Sequence, residues 1–167
     1  VKILYTREEV FAAHRGRHPM LMTYRVGARR DGTLTAVQAR IQIDGGAHSS
    51  FGLVTTYYSG QLLGAPYRLP AYEFDSTRVF TNKPSCGPKR GHGTPQPRFG
   101  QEVQLDKIAE RLKLDPAELR RRNMIRPAQM PYTNPMGQTY DSGKFESVQT
   151  QALALADWAG FDARAAQ

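Results

Sequence analysis

The sequence predicts an α+β fold in which a β-hairpin and further strands are packed against helices. Alternating apolar residues flank the pair Asp31-Gly32, which is a strong signal for a hairpin. Apolar residues at helical spacing follow over residues 101–113, and Asp115-Pro116 marks the start of another helix. With 167 residues, of which 40% are hydrophobic, the chain can bury one modest core.

The first half of the chain supplies most of the predicted strands. A strand is expected over residues 2–6, followed by a short helix over residues 7–12 that Thr6 caps. The remaining predicted elements are hairpin strands over 20–29 and 33–44, a helix over 54–63 and a strand over 72–80. The glycine-rich run 44–52 that follows the hairpin is either a plain connection or backbone that passes close to a ligand or another chain segment.

The second half is predicted to be helical. Leu105, Ile108, Ala109 and Leu112 form the apolar stripe of the helix over residues 101–113. The next helix is opened by Asp115, Pro116 and Glu118 and ends in Arg120-Arg121-Arg122-Asn123. Residues 126–142 are rich in proline and predict a linker, after which Ser142 is expected to cap a last helix.

Charge and composition indicate the kind of partner and compartment. The net charge of +8 arises from 23 basic and 15 acidic residues and favours anionic partners. Cys86 is the single cysteine, so an internal disulfide is excluded and a reducing, cytoplasmic location is expected. No apolar run approaches a membrane span, and no signal peptide is evident. Because Val1 is not an initiator methionine, we expect a piece of a larger protein.

The segment 81–100, which we call the ligand loop, carries most of the chemistry. Its prolines and glycines are predicted to exclude a regular helix or central strand. Backbone N–H groups around Gly91 and Gly93 are candidates for a concave anion site. The basic side chains spread along the loop are Lys83, Lys89, Arg90, His92 and Arg98. The sequence therefore predicts a rigid, cationic loop that holds a ligand.

Several common functional classes lack their residues. The chain has no phosphate-binding Gly-x-x-x-x-Gly-Lys-Ser/Thr, no Cys-x-x-Cys and no His-Glu-x-x-His. His14 and His18 are interpreted as surface or capping residues, whereas His92, placed between two glycines, is a candidate to face a substrate. The arginine run 120–122 is interpreted as solvated surface, since consecutive helical residues point in different directions. Cys86 is interpreted as a small residue fitted into a tight loop.

These motifs resemble a known family. The matching segments are 81–84 (Thr-Asn-Lys-Pro), 90–96 (Arg-Gly-His-Gly-x-Pro-Gln), the set Glu102, Asp106 and Ala109, and 115–123 (Asp-Pro-x-Glu-x-Arg-x-x-Asn). Together they resemble the molybdopterin-binding large subunit of the xanthine dehydrogenase and aldehyde oxidase family. Arg17-His18-Pro19, followed by the predicted hairpin, adds a second match in the order of elements.

The resemblance implies a fold, a cofactor and partner subunits. Residues 1–125 would be part of the first molybdopterin-binding domain, and residues 126–167 a linker and the start of a following subdomain. A pterin dinucleotide would hold molybdenum, with Arg90 behind the metal without being a ligand, and with Pro88, Lys89 and Gly91 shaping the pocket. Iron-sulfur clusters and FAD would lie on partner subunits of a hetero-oligomer. The resemblance implies no nucleic-acid or membrane partner.

Within the family, segments 50–63 and 86–93 most resemble the molybdenum subunit of 4-hydroxybenzoyl-CoA reductases. In purine hydroxylases an arginine and a phenylalanine stand where this chain has Tyr58 and His92. The resemblance therefore implies a phenolic substrate rather than a purine, with Tyr58 and His92 as catalytic proton donors. The implied reaction is the reductive dehydroxylation of 4-hydroxybenzoyl-CoA to benzoyl-CoA, with ferredoxin as electron donor to the complex.

Two alternatives stay open on the sequence. The first is a molybdenum hydroxylase of the same family that acts on an aldehyde or an N-heterocycle, in place of an acyl-CoA. The second is a non-catalytic basic binding module, for which salt-sensitive retention on nucleic acid would be expected. The glutamine-bearing loop and the general-base glutamate of the family lie outside these residues, so the segment alone is expected to be inactive.

Overall fold

A three-stranded sheet carries the first half of the chain in this computed structural model, which describes residues 1–166. Strands β1 (Met20–Ala28) and β2 (Leu34–Asp44) are antiparallel, and β3 (Ala71–Val79) pairs with β2 in parallel, in the order β1-β2-β3. The predicted hairpin is confirmed. At its turn the Thr33 N–H donates to the Asp31 carboxylate at 2.9 Å, and Gly32 adopts a positive φ of 87° that favours glycine.

A register shift between Gly27 and Ala28 lets both ends of β2 contribute to the core. Without it, strict alternation would place Leu34 and Val37 on opposite faces of the sheet, yet both are buried. Leu63, Leu69, Leu105 and Leu119 from the helices and loops join them in one cluster. The sheet and the helices therefore share a single hydrophobic core, which confirms the α+β class.

Six α-helices accompany the sheet in the described part of the chain. Their bounds are α1 (Arg7–Ala13), α2 (Gly52–Gln61), α3 (Pro95–Leu112), α4 (Pro116–Asn123), α5 (Phe145–Leu155) and α6 (Phe161–Ala165). Two short 3₁₀ turns, 127–129 and 158–160, and the two-residue strands β4 (Tyr132–Thr133) and β5 (Thr139–Tyr140) complete the inventory. The strands β4 and β5 form a small hairpin within the segment that was expected to be a linker.

Helix α3 begins at Pro95, inside the ligand loop, where the sequence was expected to exclude a regular helix. The expectation was wrong for residues 95–100. Pro95 and Pro97 lie in the first turn, where backbone N–H groups have no helical acceptor and proline therefore costs nothing. The consequence is that the ligand loop proper is shorter and leads directly into the helix that covers the sheet.

Helix α4 follows its predicted signature. The Asp115 carboxylate accepts a hydrogen bond from the Glu118 N–H at 2.8 Å, and Pro116 occupies the first turn. At the other end, Asn123 is buried; its amide donates to Gly32 O at 2.9 Å and accepts from Leu34 N–H at 2.8 Å. One side chain thus joins this helix to the hairpin turn.

The two chain ends differ from expectation. Residues 2–6 form no strand, because no strand partner lies beside them among the described residues and their apolar side chains are exposed. Thr6 and Glu9 do form the predicted cap of α1, as a reciprocal capping box. Ser142 caps no helix: its hydroxyl bonds Asp141, and α5 begins three residues later after Lys144. The boundary near residue 125 stays a prediction.

Candidate functional site

The base of the ligand loop lies against the glycine pair that follows β2. Gly45 O accepts from Cys86 N–H at 3.1 Å, and Gly46 O accepts from Thr81 N–H at 3.1 Å. A Cβ on Gly46 would lie 2.3 Å from Pro84 O, so only glycine permits this approach. Of the two interpretations of run 44–52, the structure shows the close approach of backbone to another chain segment, and at Gly45 and Gly46 that segment is the ligand loop.

The Asp44 carboxylate binds residues at the base of the ligand loop. Its carboxylate lies 2.7 Å from Lys83 Nζ and accepts bonds from the Thr81 hydroxyl at 2.6 Å and from Gly46 N–H at 2.9 Å. The hydrogen bonds from Lys83, Thr81 and Gly46 stabilise the ionised form and lower the pKa of Asp44 to about 2.

The segment before β1 runs beside the loop. Gly16 pairs with Cys86 in a parallel bridge, and Gly87 N–H donates to Gly16 O at 2.9 Å. Cys86 is 6% exposed, which confirms the interpretation of a small residue in a tight loop, and burial raises the pKa of its thiol. Farther along, the Arg17 guanidinium donates to Arg90 O at 2.9 Å. Two basic segments, 14–17 and 87–90, are therefore held side by side.

The tip of the loop is a tight turn against helix α2. Within it, His92 N–H donates to Lys89 O at 2.7 Å, and Gly93 adopts a positive φ of 84°. A Cβ on Gly93 would lie 2.5 Å from Thr55 O, so the loop and the helix touch through backbone. The Ser59 hydroxyl lies 2.9 Å from Gly93 O and 2.7 Å from Thr55 O, which fastens the two elements together.

The structure brings the two predicted catalytic residues together. The ring centroids of Tyr58 and His92 are 6.2 Å apart in an edge-on arrangement, and Phe51 stands 5.7 Å from His92 on another side. His92 Nε2 lies 2.7 Å from the hydroxyl of Thr55, a side chain that is 1% exposed. His92 is therefore a half-buried histidine with one ring nitrogen engaged and three aromatic or polar neighbours.

Sequence reasoning missed Phe51 and Thr55, and a signal was present for Thr55, which lies inside the predicted helix, whereas Phe51 precedes it. Phe51, Thr55 and Tyr58 follow the i, i+4, i+7 spacing that places residues on one face of a helix. Once the helix over residues 54–63 is predicted, the residue one turn before Tyr58 is a candidate neighbour of the same ligand.

The predicted cofactor residues occupy the outer side of the same turn. Pro88, Arg90 and Gly91 are exposed, and Gly91 has a positive φ of 87°. Lys89 is half-buried, with its Nζ 3.3 Å from His14 Nδ1. Among residues 1–166 neither Lys89 nor Arg90 has a carboxylate within ion-pair distance. One turn thus presents His92 on its inner side and free cations on its outer side.

The other two histidines near the site were expected to be surface or capping residues, and for His18 this was wrong, because its ring is buried and its Nε2 has no hydrogen-bond partner among the described residues. His18 is 2% exposed beneath the loop, and its backbone carbonyl accepts from the Gln96 amide at 2.8 Å. Burial, with the nearby positive charge of Arg78 and the proximity of His92, lowers the pKa of His18 below its usual value. His14 is exposed, as expected.

The arginine run 120–122 is engaged within the domain. Arg120 lies 2.8 Å from both Glu102 and Asp106, and its side chain is only 18% exposed. Arg121 and Arg122 both pair with Glu118, at 3.1 and 2.9 Å. The expectation of solvated surface therefore fails for Arg120, because carboxylates on α3 draw it inward. The charges of this run are already neutralised by side chains of the same chain.

Comparison with known proteins decides the family. The profile of the molybdopterin cofactor-binding domain matches residues 1–124. The chain belongs to this family. Its relatives place it with the xanthine dehydrogenase and aldehyde oxidase group of molybdopterin-binding proteins, as the resemblance of its motifs implied.

Several curated relatives are more than a third identical to this chain over the aligned residues. The xanthine dehydrogenase molybdenum-binding subunit of Escherichia coli O157:H7 is 38% identical over 126 residues, which are 75% of this chain and 17% of the relative. The nicotinate dehydrogenase large molybdopterin subunit of Eubacterium barkeri is 39% identical over 72% of this chain and 28% of its own. The chain thus spans well under a third of the length of these relatives.

Solved structures show the same fold. Quinoline 2-oxidoreductase from Pseudomonas putida 86 superimposes with a TM-score of 0.90 at 28% identity, over 96% of this chain and 21% of that one. The aldehyde oxidoreductase from Desulfovibrio gigas gives a TM-score of 0.79 at 34% identity, over 87% of this chain and 16% of that one. The architecture described above is therefore a fragment of the molybdenum-cofactor domain of this family.

Residues 1–166, the part of the chain that the structure describes, contain neither a ready-made metal cluster nor a membrane-spanning helix. No group of three or more histidine, cysteine, aspartate or glutamate side chains is arranged to hold a metal ion there. Over the same residues no helix is both long enough and apolar enough to cross a bilayer.

Proposed function

We propose that the chain is part of the molybdenum subunit of a hydroxylase whose substrate is an aromatic N-heterocycle or an aldehyde. The observation that carries this proposal is the aromatic face formed by Phe51, Tyr58 and His92 on the inner side of the ligand loop. Flat rings bind well to such a face through edge and stacking contacts. The names of the relatives, which include nicotinate, quinoline and aldehyde oxidoreductases, support the same substrate classes.

The ligand loop fits the cofactor that the family binds. A pterin that carries phosphate is an anion, and the outer side of the turn offers the free cations Lys89 and Arg90 beside the left-handed backbone of Gly91. In this proposal Pro88, Lys89, Arg90 and Gly91 contact the cofactor, and Arg90 lies near the metal without being its ligand. When bound, the molybdenum cofactor supplies two-electron redox chemistry.

The protein's own side chains orient the substrate and handle its protons. Because Thr55 engages His92 Nε2, the other ring nitrogen, Nδ1, is left to contact the substrate. The Tyr58 hydroxyl provides a second donor close to the same ring. We assign both residues to positions from which they donate or accept a proton at the substrate as its charge changes.

A second candidate is the reductive dehydroxylation of a 4-hydroxybenzoyl-CoA-like substrate. Its specific support is that tyrosine and histidine, both proton carriers, occupy the two positions where purine hydroxylases are expected to have arginine and phenylalanine. Acid groups beside the ring suit the loss of a phenolic oxygen as water. The comparisons favour the hydroxylase, because the relatives named above are dehydrogenases and oxidoreductases of aldehydes and N-heterocycles.

Partners and location follow from the same proposal. Electrons would pass between the molybdenum centre and iron-sulfur and FAD groups on companion subunits, with ferredoxin as donor in the reductase case. A cytoplasmic location agrees with a chain in which Cys86 is the only cysteine.

The test is an assay of the complete enzyme with three substrate classes. Quinoline or nicotinate, an aromatic aldehyde, and 4-hydroxybenzoyl-CoA with reduced ferredoxin are each supplied, and molybdenum is quantified in the same preparation. Turnover of the heterocycle or aldehyde supports the hydroxylase, and turnover of the CoA ester alone replaces it with the reductase. A preparation that binds no molybdenum when expressed with an intact cofactor pathway would overturn both.

A further inference from the structure

The side chain of Arg78, on the half-buried face of β3, reaches the chain just before helix α2. Its Nη2 donates to Gly45 O at 3.1 Å, to the backbone carbonyl of His48 at 3.1 Å and to Ser49 O at 2.9 Å. We call residues 49–51 the α2 turn. One guanidinium nitrogen thus joins the end of β2, the following run and the α2 turn.

Two glycines make room for this guanidinium. A Cβ on Gly45 would lie 2.4 Å from Arg78 Cζ, and a Cβ on Gly52 would lie 2.0 Å from Arg78 Nε. On another side, the ring centroid of Phe80 is 5.2 Å from Arg78 Cζ, within the range of a cation–π contact. The guanidinium is therefore enclosed between the residue after β2 and the first residue of α2.

This arrangement is unfavourable for the fold by itself. Among residues 1–166, Arg78 has no carboxylate within ion-pair distance, and its buried Nε has no hydrogen-bond partner. In the α2 turn, Ser50 adopts a φ of 44°, a left-handed conformation that is strained for a residue other than glycine. Strain and unsatisfied polar groups of this kind cluster at functional sites.

The α2 turn carries Phe51, which forms one side of the aromatic face. The ring of Phe51 is 57% exposed, so packing within the described chain does little to fix it, and its centroid stands 5.7 Å from that of His92. Ser49 O, which accepts from Arg78, also accepts from Gly52 N–H at 3.1 Å. The backbone on both sides of Phe51 is thus tied to the guanidinium.

The rest of the aromatic face is held by other contacts. The Tyr72 hydroxyl donates to Gly60 O at 2.9 Å, which anchors the second half of α2 to the sheet. His92 Nε2 lies 2.7 Å from the hydroxyl of Thr55. Tyr58 and His92 therefore keep their places without Arg78, whereas Phe51 depends on it.

We propose that Arg78 is a positioning residue that fixes the α2 turn and thereby holds Phe51 against the substrate ring. The nature of the substrate rests on the proposed function, whereas the placement of Phe51 by Arg78 does not. Arg78 acts through Phe51, so its loss should weaken substrate binding more than it slows the chemical step.

The first experiment measures the order of Phe51 and needs no turnover. Para-fluorophenylalanine is placed at position 51 of the complete enzyme, and its fluorine resonance is recorded with Arg78 intact and in Arg78→Met. Methionine keeps an unbranched stem but has no donor for the carbonyl oxygens. We expect a shifted resonance in the parent enzyme and a resonance averaged towards that of the free amino acid in Arg78→Met.

Arg40→Met is the matched control, because Arg40 is an exposed arginine of the neighbouring strand β2 and the substitution removes the same charge. Identical fluorine shifts in Arg78→Met and Arg40→Met would overturn the proposal. Arg78→Lys keeps the charge on a shorter stem and should give an intermediate shift. If Arg78→Met does not fold, Arg78→Lys decides: a shift equal to that of the parent would overturn the proposal.

The second experiment separates binding from chemistry in the complete enzyme. With the substrate that the assays of the proposed function identify, Arg78→Met should raise KM about tenfold, as for one lost aromatic contact, and change kcat by less than about twofold. A lower kcat at unchanged KM would indicate only a loss of folded enzyme and would overturn the positioning role. If none of the three substrates is turned over, the proposed function fails, and the fluorine resonance still decides the role of Arg78.

Discussion

Two basic regions of this domain use arginine in opposite ways. On α4 the run Arg120 to Arg122 meets Glu102, Asp106 and Glu118, and every guanidinium is paired within the chain. In segment 14–17, which lies beside residues 87–90 of the ligand loop, Arg15 and Arg17 are held by hydroxyl and carbonyl oxygens and pair with no carboxylate in the described chain. The first region uses its charge to hold the fold, whereas the second keeps its charge available.

The two regions differ in the interactions that fix their geometry. Around α4, ion pairs between side chains hold the structure together, so removing one charge there should lower the free energy of unfolding. In the ligand loop, backbone bonds and close glycine contacts set the geometry, and the charged or titratable groups project from it. Substitutions in the loop should therefore change function more than stability, and substitutions around α4 should do the reverse.

The largest expected effect lies in the loop, at His92. In the complete enzyme, His92→Phe keeps a ring beside Phe51 and Tyr58 but has no nitrogen to carry a proton. We expect kcat to fall about 100-fold, which is typical for loss of a general acid or base. The free energy of unfolding should change by about 1 kcal/mol at most, for the lost bond to Thr55.

The control is His48→Phe, because His48 is exposed and its side chain makes no hydrogen bond among residues 1–166. Unchanged turnover in His92→Phe would remove this residue from the catalytic machinery. A large loss of stability with intact turnover would reverse the contrast between the two regions.

The second effect tests α4 and its neighbour α3. Glu102 accepts from Arg98 at 2.9 Å and from Arg120 at 2.8 Å, and these arginine side chains are 23% and 18% exposed. Glu102→Gln leaves both largely buried cations beside a neutral amide. We expect a loss of about 2 kcal/mol in the free energy of unfolding, less than for a fully buried pair because water reaches the site.

Urea unfolding measures this change, with Glu110→Gln as control, since Glu110 is an exposed glutamate on the same helix. Equal urea midpoints for the two variants would contradict the structural role of the ion pairs that Glu102 makes with Arg98 and Arg120. A loss of turnover without a loss of stability would do so as well.

Local rules predicted the elements whose signals are local. The hairpin at Asp31-Gly32 and the cap of α4 at Asp115 each depend on residues within four positions of one another, and both are confirmed. The start of α3 was missed because Pro95 was treated as a breaker, although a proline in the first turn of a helix loses no hydrogen bond. The strand expected over residues 2–6 has strand-forming residues but no partner among the described residues, and pairing is a property of the whole fold.

The site was predicted in part for the same reason. The sequence placed His92 as a candidate, and the resemblance of motifs added Tyr58 and directed attention to Pro88 through Gly91. It could not show that Thr55 meets His92, or that segment 14–17 lies beside the loop, because these contacts join residues 37 or more positions apart. Contacts of this range are determined by tertiary packing rather than by spacing.

A third prediction concerns the residue that sequence reasoning missed. Thr55→Val keeps the size of the buried side chain but removes the hydroxyl 2.7 Å from His92 Nε2. The imidazole is then free to change tautomer and rotate, so we expect kcat to fall about tenfold and Thr55→Ser to restore most of it. Nitrogen chemical shifts of labelled His92 report the tautomer directly. An unchanged tautomer in Thr55→Val would show that Thr55 does not position the ring.

The smallest expected effect is a pH dependence at the base of the loop that the tip should not share. Bonds from Lys83, Thr81 and Gly46 lower the pKa of Asp44 to about 2, well below its ordinary value of 3.8. A depressed carboxyl pKa adds stability above the unfolded value, and this contribution is lost as pH falls from about 4 towards 2. The protection factor of the Thr81 amide, whose N–H bonds Gly46 O, should therefore fall in that range once the exchange rate is corrected for its intrinsic pH dependence, and in Asp44→Asn it should be low throughout.

Asp75→Asn is the control for this titration, because Asp75 is an exposed aspartate on β3. A pH dependence that persists in Asp44→Asn would assign the effect to another group. The tip should behave differently from the base, since no carboxylate of the described chain pairs with Lys89 or Arg90 and acid removes no ion pair there. The protection of the Gly87 amide, whose N–H bonds Gly16 O, should therefore stay unchanged over the same range. The single acid at the base thus holds the loop to the sheet, and the absence of one at the tip, within residues 1–166, leaves its cations for a ligand.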